Sequence, residues 1–600
     1  MRRFLALIWS TESDAPPLTP LQREALNVLT AQWHCAVHCD GFIVWCKGLL
    51  ISQQCCILPH EHGAILGDVF LRHGSATDDS ACPRVSWSQE HLERVVCGRA
   101  EALLHECWGD YVALLRDNAG HISILKDPTG SWPCYVVAPS TRMTACFSDI
   151  ADAADAMLIR PRVEPAYVRQ RLTMPEQYTE GSGLRGVRRV FGGQRLDLAP
   201  ARHTQQVRQI WNASSFASVA GAHTTTEVYA SELRASILST TRTWACNRNR
   251  ILLRCSGGLD SAIVAACLAR SAADRVVAYT YNNVSSPADP WPWASRAVVD
   301  LHAPHLRVTL DPATMDLSVV AAVPRAVEPM PVIGFYQRAV IEAPLACNSR
   351  ITCVMSGDGG DSGFGRDAIR DVVLETLLRR GPRFALLRLA AQVGLHTEES
   401  VSGVLARSVR EWLRLPRTHS HCNDVRRLVH PELLHEPRSS APVHPWLHSL
   451  PYPQLLSRRL GTLLLANDYY NTSTGAEGPP VIAPLCSQPV IEQLLRTPLE
   501  SLFLDGRERG LARHAFRDLV PAEILERTWK DRAPGFFETL ILSQHRFLRE
   551  MLLDGWLVRE RYLDRRAVER ALSPARIKSH VYPAEIFQHL GTELWGRHWR

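Results

Sequence analysis

The sequence predicts an α/β protein of two domains, the second built on a doubly wound parallel sheet. At 600 residues the chain is too long for a single hydrophobic core. Its first two hundred residues are short apolar runs between turn residues, a pattern typical of antiparallel strands. Farther on, strands alternate with helices, and from about residue 368 the pattern is mainly helical. We therefore expect a first domain over residues 1–211, a linker over 212–226 and a second domain over 227–600.

The composition is that of a folded protein, with 46% hydrophobic and 21% charged residues. The net charge of +6 is small for this length and no Lys/Arg block stands out, so no nucleic-acid partner is expected. No apolar run approaches the ~20 residues of a membrane span, so no membrane partner is expected. The apolar start, Phe4 to Trp9, is too short for a signal peptide and favours a first strand. Seventeen cysteines, many in apolar runs, fit reduced thiols in a cytoplasmic protein.

Runs such as "GFIVWC", "DYVALLRD" and "HISILKD" indicate the strands of the first domain. One of its stretches, "HCAVHCD" at 34–40, contains two His-Cys pairs, the residue types of zinc sites. However, Asp40-Gly41 is a hairpin-turn signal between two strand-like runs. The four side chains would then alternate between the faces of one strand, which is poor geometry for a single metal. We interpret the stretch as part of a β-hairpin.

The second domain follows "NASSFASVAGAHTTT", a small and polar stretch that is the best linker in the chain. Strands that alternate with helices imply parallel pairing in one sheet. The predicted order is helix 227–240, strand 250–253, helix 261–270, strand 275–281, helix 293–301 and strand 306–310.

A glycine pair between two serines, "SGGLDS" at 256–261, separates a predicted strand from a predicted helix. A strand, a Gly-rich turn and a helix in this order form a phosphate cradle, because backbone N–H groups and the helix N-terminus face an anion. The pattern G-x-x-x-x-G-K-[ST] is absent, so the turn is not a Walker A loop. It suits the pyrophosphate half of ATP after attack on the α-phosphorus, which implies adenylation of a carboxylate.

A second Gly-rich turn, "SGDGGD" at 356–361, follows the apolar run Ile351 to Met355. Asp358 and Asp361 in this turn would repel each other without a cation or another partner. Strand ends of one parallel sheet lie side by side at its carboxyl edge, where such sheets bind ligands. Asp260 of the first turn and Asp361 are therefore predicted to hold Mg²⁺ between nucleotide phosphates.

These two turns resemble the pyrophosphate loop and the second metal-binding loop of the asparagine synthetase family. "PAEILERTWKDRAPGFFE" at 521–538 is similar to the family's C-terminal segment, in which one essential lysine contacts the phosphates, and Lys530 matches it. "GAEGPPVIAPL" at 475–485 resembles the segment before it. Three segments resemble the family's glutaminase-type domain: "WGDYVALLRDNAGHISILKDPTGSWPCYV" at 108–136, "FSDI" at 147–150 and "LRGVRRVFGGQ" at 184–194. The resemblance thus covers nearly the whole chain.

The resemblance implies a glutaminase-like αββα first domain of the Ntn type and a pyrophosphatase-loop synthetase domain that uses ATP and Mg²⁺. Asp358 matches a family glutamate that helps orient or deprotonate the amine, and Lys530 is the second implied catalytic residue. Asp260 and Asp361 are the implied metal ligands. The implied nucleotide contacts are Leu253, Ser256, Gly257, Gly258, Asp260, Ser261, Tyr281, Ser356 and Gly357.

The sequence departs from the family where ammonia would be made. A glutaminase of this class uses an N-terminal cysteine exposed by removal of the first methionine, but position 2 is Arg2 and the nearest cysteine is Cys35. The family's Asn-Gly-Glu segment is also absent, and "GAILGDVF" at 63–70 stands in its place. Without a nucleophile or oxyanion donors, glutamine is not expected to be hydrolysed. A further departure is Ser362, where asparagine synthetases have a glutamate.

Two subfamilies combine such a synthetase domain with an inactive glutaminase domain: β-lactam synthetases and the macrolactam synthetases that close lasso peptides. This chain resembles the second more closely, which implies as substrate a leader-trimmed precursor peptide whose Asp or Glu side chain is joined to its own N-terminal amine. A leader-peptide protease and a peptide-recognition protein are further implied partners. The helical region after residue 368 and "SSPADPWPWAS" at 285–295 are candidates to frame a peptide groove, with plain core and loop as the alternative. An asparagine synthetase that uses free ammonia and a β-lactam synthetase-like cyclase are the alternative functions.

Overall fold

The computed structural model describes residues 2–11, 18–72, 85–129, 131–174, 181–200, 204–217, 225–284, 289–322, 326–414, 426–435, 444–447, 455, 459–460, 478–528, 534–578 and 583–600. Within them the chain forms two six-stranded sheets, followed by a five-stranded sheet and a largely helical remainder. In the part of the chain described, no helix is both long and apolar enough to cross a membrane.

The strands of the first two sheets all pair antiparallel. They are β1 (Arg3–Trp9), β2 (His34–Cys39), β3 (Phe42–Lys47), β4 (Cys55–Ile57), β5 (Gly63–Leu71), β6 (Cys107–Arg116), β7 (Ile122–Lys126), β8 (Tyr135–Ser140), β9 (Met143–Phe147), β10 (Arg188–Arg189), β11 (Gln194–Ala199) and β12 (Thr204–Gln209). One sheet has the order β10-β8-β9-β1-β3-β2 and the other β12-β11-β7-β6-β5-β4. The hairpin predicted around Asp40-Gly41 is confirmed, since β2 and β3 pair across that turn.

The inner faces of these two sheets form a common core that includes Phe4 and Val44 from one sheet and Val112 and Ile124 from the other. Short helices cover the outer faces, so the first part of the chain is layered helix–sheet–sheet–helix. The helices are α1 (Pro20–Thr30), α2 (Ile51–Gln54), α3 (Gln89–Cys97), α4 (Glu101–Glu106), α5 (Ile150–Asp155), α6 (Pro165–Thr173) and α7 (Ser214–Ala217). The last of these occupies part of the predicted linker, of which residues 218–224 lie outside the described residues.

The third sheet is parallel, as the alternation of strands and helices predicts. Its strands are β13 (Ile251–Arg254), β14 (Val276–Asn283), β15 (His305–Leu310), β16 (Cys353–Met355) and β17 (Val481–Ile482), in the order β15-β14-β13-β16-β17. The last strand was not predicted, because two residues within a helical stretch carry no periodic signal. Helices α8 (Thr226–Cys246), α9 (Leu259–Ser271) and α10 (Trp291–Ala297) fall where helices are predicted.

Helices dominate the remainder. They are α11 (Val332–Tyr336), α12 (Ala343–Ser349), α13 (Gly360–Gly363), α14 (Val372–Arg380), α15 (Ala385–Thr397), α16 (Val401–Arg414), α17 (Pro431–His435), α18 (Gln488–Arg496), α19 (Leu499–Leu502), α20 (Gly510–Ala515), α21 (Ala522–Glu526), α22 (Pro534–Ser543), α23 (His545–Leu553), α24 (Trp556–Arg559), α25 (Arg565–Ala571), α26 (Pro574–Ile577) and α27 (Pro583–Trp599). A π-helical turn, Gln337–Glu342, joins α11 to α12. One large core links α8, α9 and the parallel sheet to helices from residue 372 onward.

Candidate active site

The first Gly-rich turn connects β13 to the N-terminus of α9. Gly257 has a left-handed backbone, φ 69°, and a Cβ there would lie 2.6 Å from the backbone nitrogen of Ala294, so only glycine fits. The hydroxyl of Ser261 accepts a hydrogen bond from the N–H of Ser256 at 3.3 Å and donates to the carbonyl of Gly258 at 3.0 Å. Helix α9 begins after Gly258 with no side-chain cap. Its first N–H groups therefore face the turn, as a phosphate cradle requires.

The second turn lies directly beside the first, because β13 and β16 are neighbours in the sheet. A Cβ on Gly357 would lie 2.5 Å from the backbone nitrogen of Ser261, and one on Gly360 would overlap the side chain of Asp260. Ser356 is buried at the end of β16, and its hydroxyl donates to Asp358 at 2.8 Å. Small residues thus allow the two loops to touch at the carboxyl edge of the sheet.

Asp260 and Asp361 converge on the guanidinium of Arg509. Its Nη1 lies 3.3 Å from Asp260 Oδ2 and 3.2 Å from Asp361 Oδ1. The guanidinium also pairs with Glu508, at 2.7 Å, and its side chain is only 7% exposed. Burial alone would lower the pKa of Arg509, but Asp260, Glu508 and Asp361 together raise it. A cation therefore lies where the sequence predicts Mg²⁺.

This arrangement indicates that the two carboxylates fit a divalent cation. They come from separate loops yet meet at one positively charged group, and carboxylate oxygens are the ligands that Mg²⁺ prefers. Among the described residues no cluster of three or more His, Cys, Asp and Glu side chains is placed to bind a metal. Two protein carboxylates with phosphate oxygens are a typical magnesium set, so the residues present fit Mg²⁺ bound together with a nucleotide.

Sequence reasoning did not identify Arg509. Its signal is the run "GRERGLARH" at 506–514, which by itself does not distinguish a site from a solvated surface. Arg366 is a second cation at the same place, with Nη1 3.0 Å from Asp361 Oδ1 and Nε 3.0 Å from Glu508 Oε2. The site therefore contains two guanidinium groups around the predicted metal ligands.

Asp358 belongs to a second group of charges at the end of β13. Its Oδ2 lies 3.1 Å from Arg254 Nη1, and its side chain is 40% exposed. Arg254 Nη2 lies 2.6 Å from Glu342 Oε1, which also accepts a hydrogen bond from the hydroxyl of Tyr279 at 2.5 Å. Glu342, on the π-helical turn, and Arg254 were not predicted. Together they fix the orientation of Asp358 while leaving it open to a ligand.

Two predicted nucleotide contacts, Tyr281 and Leu253, lie on strands rather than in the loops. Tyr281 lies behind this group, its hydroxyl 3.0 Å from that of Tyr279, and burial raises its pKa well above the usual range. The side chain of Leu253 is fully buried in the hydrophobic core. The prediction that it contacts nucleotide therefore applies only to its backbone.

Lys530 lies outside the described residues, and so do residues 475–477 and 285–288. The segment that leads to Lys530 reaches the first loop through Arg527, a further residue that was not predicted. Its guanidinium donates to the carbonyl of Gly257 at 3.2 Å and lies 4.7 Å from the centre of the Trp293 ring. The chain is thus anchored beside the phosphate cradle three positions before the predicted lysine.

Arg2 fills the position at which the family resemblance expects a nucleophile. Its guanidinium lies 3.1 Å from Asp68 and 2.7 Å from Asp110. Asp68 is on β5, within the segment that stands in place of the Asn-Gly-Glu motif. It also pairs with Arg248, which follows α8, at 2.7 Å. Burial raises the pKa of Asp68, but Arg248, Arg2 and Gln54 outweigh it and hold the pKa below its usual value.

Comparison with known proteins gives one family. A model described as asparagine synthase matches residues 250–597. No curated protein matches the chain. A solved structure titled as the allosteric regulatory enzyme of purine biosynthesis has 9% sequence identity and covers 52% of this chain and 80% of its own, but its TM-score of 0.22 is too low to support any argument.

Proposed function

The chain belongs to the asparagine synthase family, and we propose that it is a macrolactam synthetase that closes lasso peptides. As a member of this family it is an ATP-dependent amide ligase that releases AMP and pyrophosphate. Its substrate would be a leader-trimmed precursor peptide. An Asp or Glu side chain of that peptide is activated with ATP, and the peptide's own N-terminal amine forms the isopeptide bond.

The observation that carries the proposal is the pairing of Arg2 with Asp68 and Asp110. An arginine in this position has no nucleophilic atom, and its guanidinium is held by two carboxylates. This chain is therefore not expected to make ammonia from glutamine, and in the proposal the amine comes from another source. A peptide amine held beside the activated carboxylate needs no ammonia and gains reactivity from proximity.

In this proposal bound ATP supplies the electrophilic α-phosphorus, and Mg²⁺, when bound with it, would neutralise phosphate charge. Asp260 and Asp361, which meet at Arg509, would hold the metal. The first loop, Ser256 to Ser261, binds pyrophosphate through its N–H groups and hydroxyls. Lys530 adds positive charge to the departing pyrophosphate.

The substrate carboxylate displaces pyrophosphate from the α-phosphorus, and the amine then displaces AMP. One amide bond forms, and the amine loses one proton. Asp358, which is exposed and oriented by Arg254 and Ser356, is positioned to accept that proton. Balanced over both steps, each ring closed consumes one ATP and removes the elements of one water from the peptide.

An asparagine synthetase that uses free ammonia is the second candidate, because the family match favours it. Mass spectrometry distinguishes the two when the purified protein is given Mg·ATP and a trimmed peptide with one acidic acceptor. The proposed function predicts a product lighter by one water and one AMP per ring. Acetylation of the peptide's amine should stop ring closure but leave pyrophosphate exchange detectable.

Two results would reject the proposal. One is conversion of free aspartate and ammonia to asparagine at a comparable rate. The other is incorporation of nitrogen from glutamine labelled at its amide, because Arg2 cannot serve as the nucleophile. Replacing the acceptor Asp or Glu by its amide is the matched substrate control, and it should stop both activation and closure.

A further inference from the structure

A cavity of about 230 Å³ lies between the C-terminal end of α14 and the first turns of α15. Its lining includes Arg380, Arg383, Arg388, Leu389, Gln392 and Glu500. None of these residues belongs to the two Gly-rich loops, so the cavity is separate from the candidate active site.

The cavity has an excess of positive charge. Arg380 pairs with Glu500 at 2.5 Å. Within the part of the chain that the structure describes, the guanidinium groups of Arg383 and Arg388 form no hydrogen bond or ion pair. The surrounding stretch, "LLRRGPRFALLRLAAQVGL" at 377–395, contains four arginines and no acidic residue. The lining therefore carries two cations that no carboxylate of the described chain neutralises.

Large apolar side chains are exposed beside these cations. Phe384, next to Arg383, is 92% exposed, and Leu387, next to Arg388, is 51% exposed. Leu395, two turns farther along α15, is 86% exposed. Single exposed apolar residues are ordinary on protein surfaces. Three of them, one at the N-cap of α15 and two within it, beside cations that no described carboxylate neutralises, mark an interaction surface.

We propose that this cavity binds an acidic peptide segment. Carboxylates of the segment pair with Arg383 and Arg388, and an adjacent apolar side chain packs on Phe384. The planar guanidinium fork matches a carboxylate with two parallel hydrogen bonds, which favours carboxylate ligands. A nucleic acid duplex is disfavoured, since its outward phosphates would leave Phe384 and Leu387 without apolar contacts. The inference does not depend on the macrolactam reaction, because no residue of the cavity takes part in it.

The proposal is tested by fluorescence anisotropy with the full-length protein. The probe is a fluorescein-labelled peptide of alternating glutamate and leucine, and its partner is the same peptide with glutamine in place of glutamate. We expect binding of the acidic peptide that weakens with added salt. In an Arg383→Ala/Arg388→Ala variant its affinity should fall about tenfold or more, because two charge-assisted contacts are lost.

The matched control is Arg566→Ala/Arg570→Ala, which removes two exposed arginines one turn apart on α25. It should bind the acidic peptide as the unaltered protein does. Phe384→Ser should weaken binding of the acidic peptide without changing its salt dependence. Circular dichroism should be unchanged in all variants, because every substituted side chain is exposed.

The proposal is overturned if the unaltered protein does not bind the acidic peptide, or if it binds the glutamine peptide equally well. Full competition by millimolar inorganic phosphate would also overturn it, in favour of a small-anion site. Tighter binding of a single-stranded oligonucleotide, lost in the double arginine variant, would reassign the surface to nucleic acid.

Discussion

Substitution of Asp260 or Asp361 by asparagine tests the geometry of the ligase site in two independent ways. Considered from sequence alone, the two carboxylates repel each other, and loss of one charge should relieve that repulsion. The structure reverses this expectation, because Arg509 lies within 3.3 Å of both. Each substitution should therefore lower the free energy of unfolding rather than raise it.

The magnitude follows from the contacts. A hydrogen bond to a charged group contributes about 1.5–3 kcal/mol to stability. Asp260 has a side chain only 13% exposed, so its loss should cost an amount in that range. Asp361 is 30% exposed but also pairs with Arg366. Solvent screening therefore reduces the stability lost with its charge, and the second contact increases it. For catalysis, loss of one preorganised electrostatic group should lower turnover about 10²–10³-fold.

Urea unfolding and pyrophosphate exchange measure the two effects separately. Both variants should unfold at lower urea concentration without Mg·ATP, and in both the stabilisation by Mg·ATP should be smaller than in the unaltered protein. The matched control is Asp274→Asn, an exposed carboxylate in the same domain whose loss should change neither readout. Normal pyrophosphate exchange in either variant would refute the metal site, and a higher urea midpoint would refute the role of Arg509.

Three further outcomes are expected. Lys530→Ala should lower AMP release by roughly two orders of magnitude while changing ATP affinity much less, and an unchanged rate would place Lys530 outside the site. Gly357→Ala should abolish pyrophosphate exchange, because its Cβ would lie 2.5 Å from the backbone of Ser261; Gly478→Ala, whose Cβ meets Ala343 at an ordinary 3.7 Å, is the control. Asp68→Asn should lower the free energy of unfolding by about 3–5 kcal/mol at pH 7, because the buried guanidinium of Arg248 loses its carboxylate partner, while Arg2 keeps Asp110. Folding lowers the pKa of Asp68, so its contribution to the free energy of unfolding is complete above the unfolded pKa of about 3.9. That contribution is lost as the pH falls through the folded pKa. The urea midpoints of variant and parent should therefore converge only in strong acid.

The local features of this protein were predictable from its amino-acid sequence. The hairpin at Asp40-Gly41, the parallel strands and the two Gly-rich turns follow from patterns that span only a few residues. Such patterns carry information because backbone conformation depends mainly on neighbours in the chain, as the left-handed φ of Gly257 illustrates. The proximity of Asp260 and Asp361 was predictable as well, since neighbouring parallel strands bring their ends together.

Which cations pair with the carboxylates of these sites depends on the tertiary fold. Arg509 is 249 residues from Asp260, Glu342 is 88 from Arg254, and Arg2 is 66 from Asp68. No periodicity links residues so far apart, because their contacts depend on how helices and sheets pack rather than on local conformation. The sequence thus predicted carboxylates in need of cations and the missing nucleophile at position 2. The fold places arginines beside these carboxylates, because a buried charge is stable only next to a charge of opposite sign.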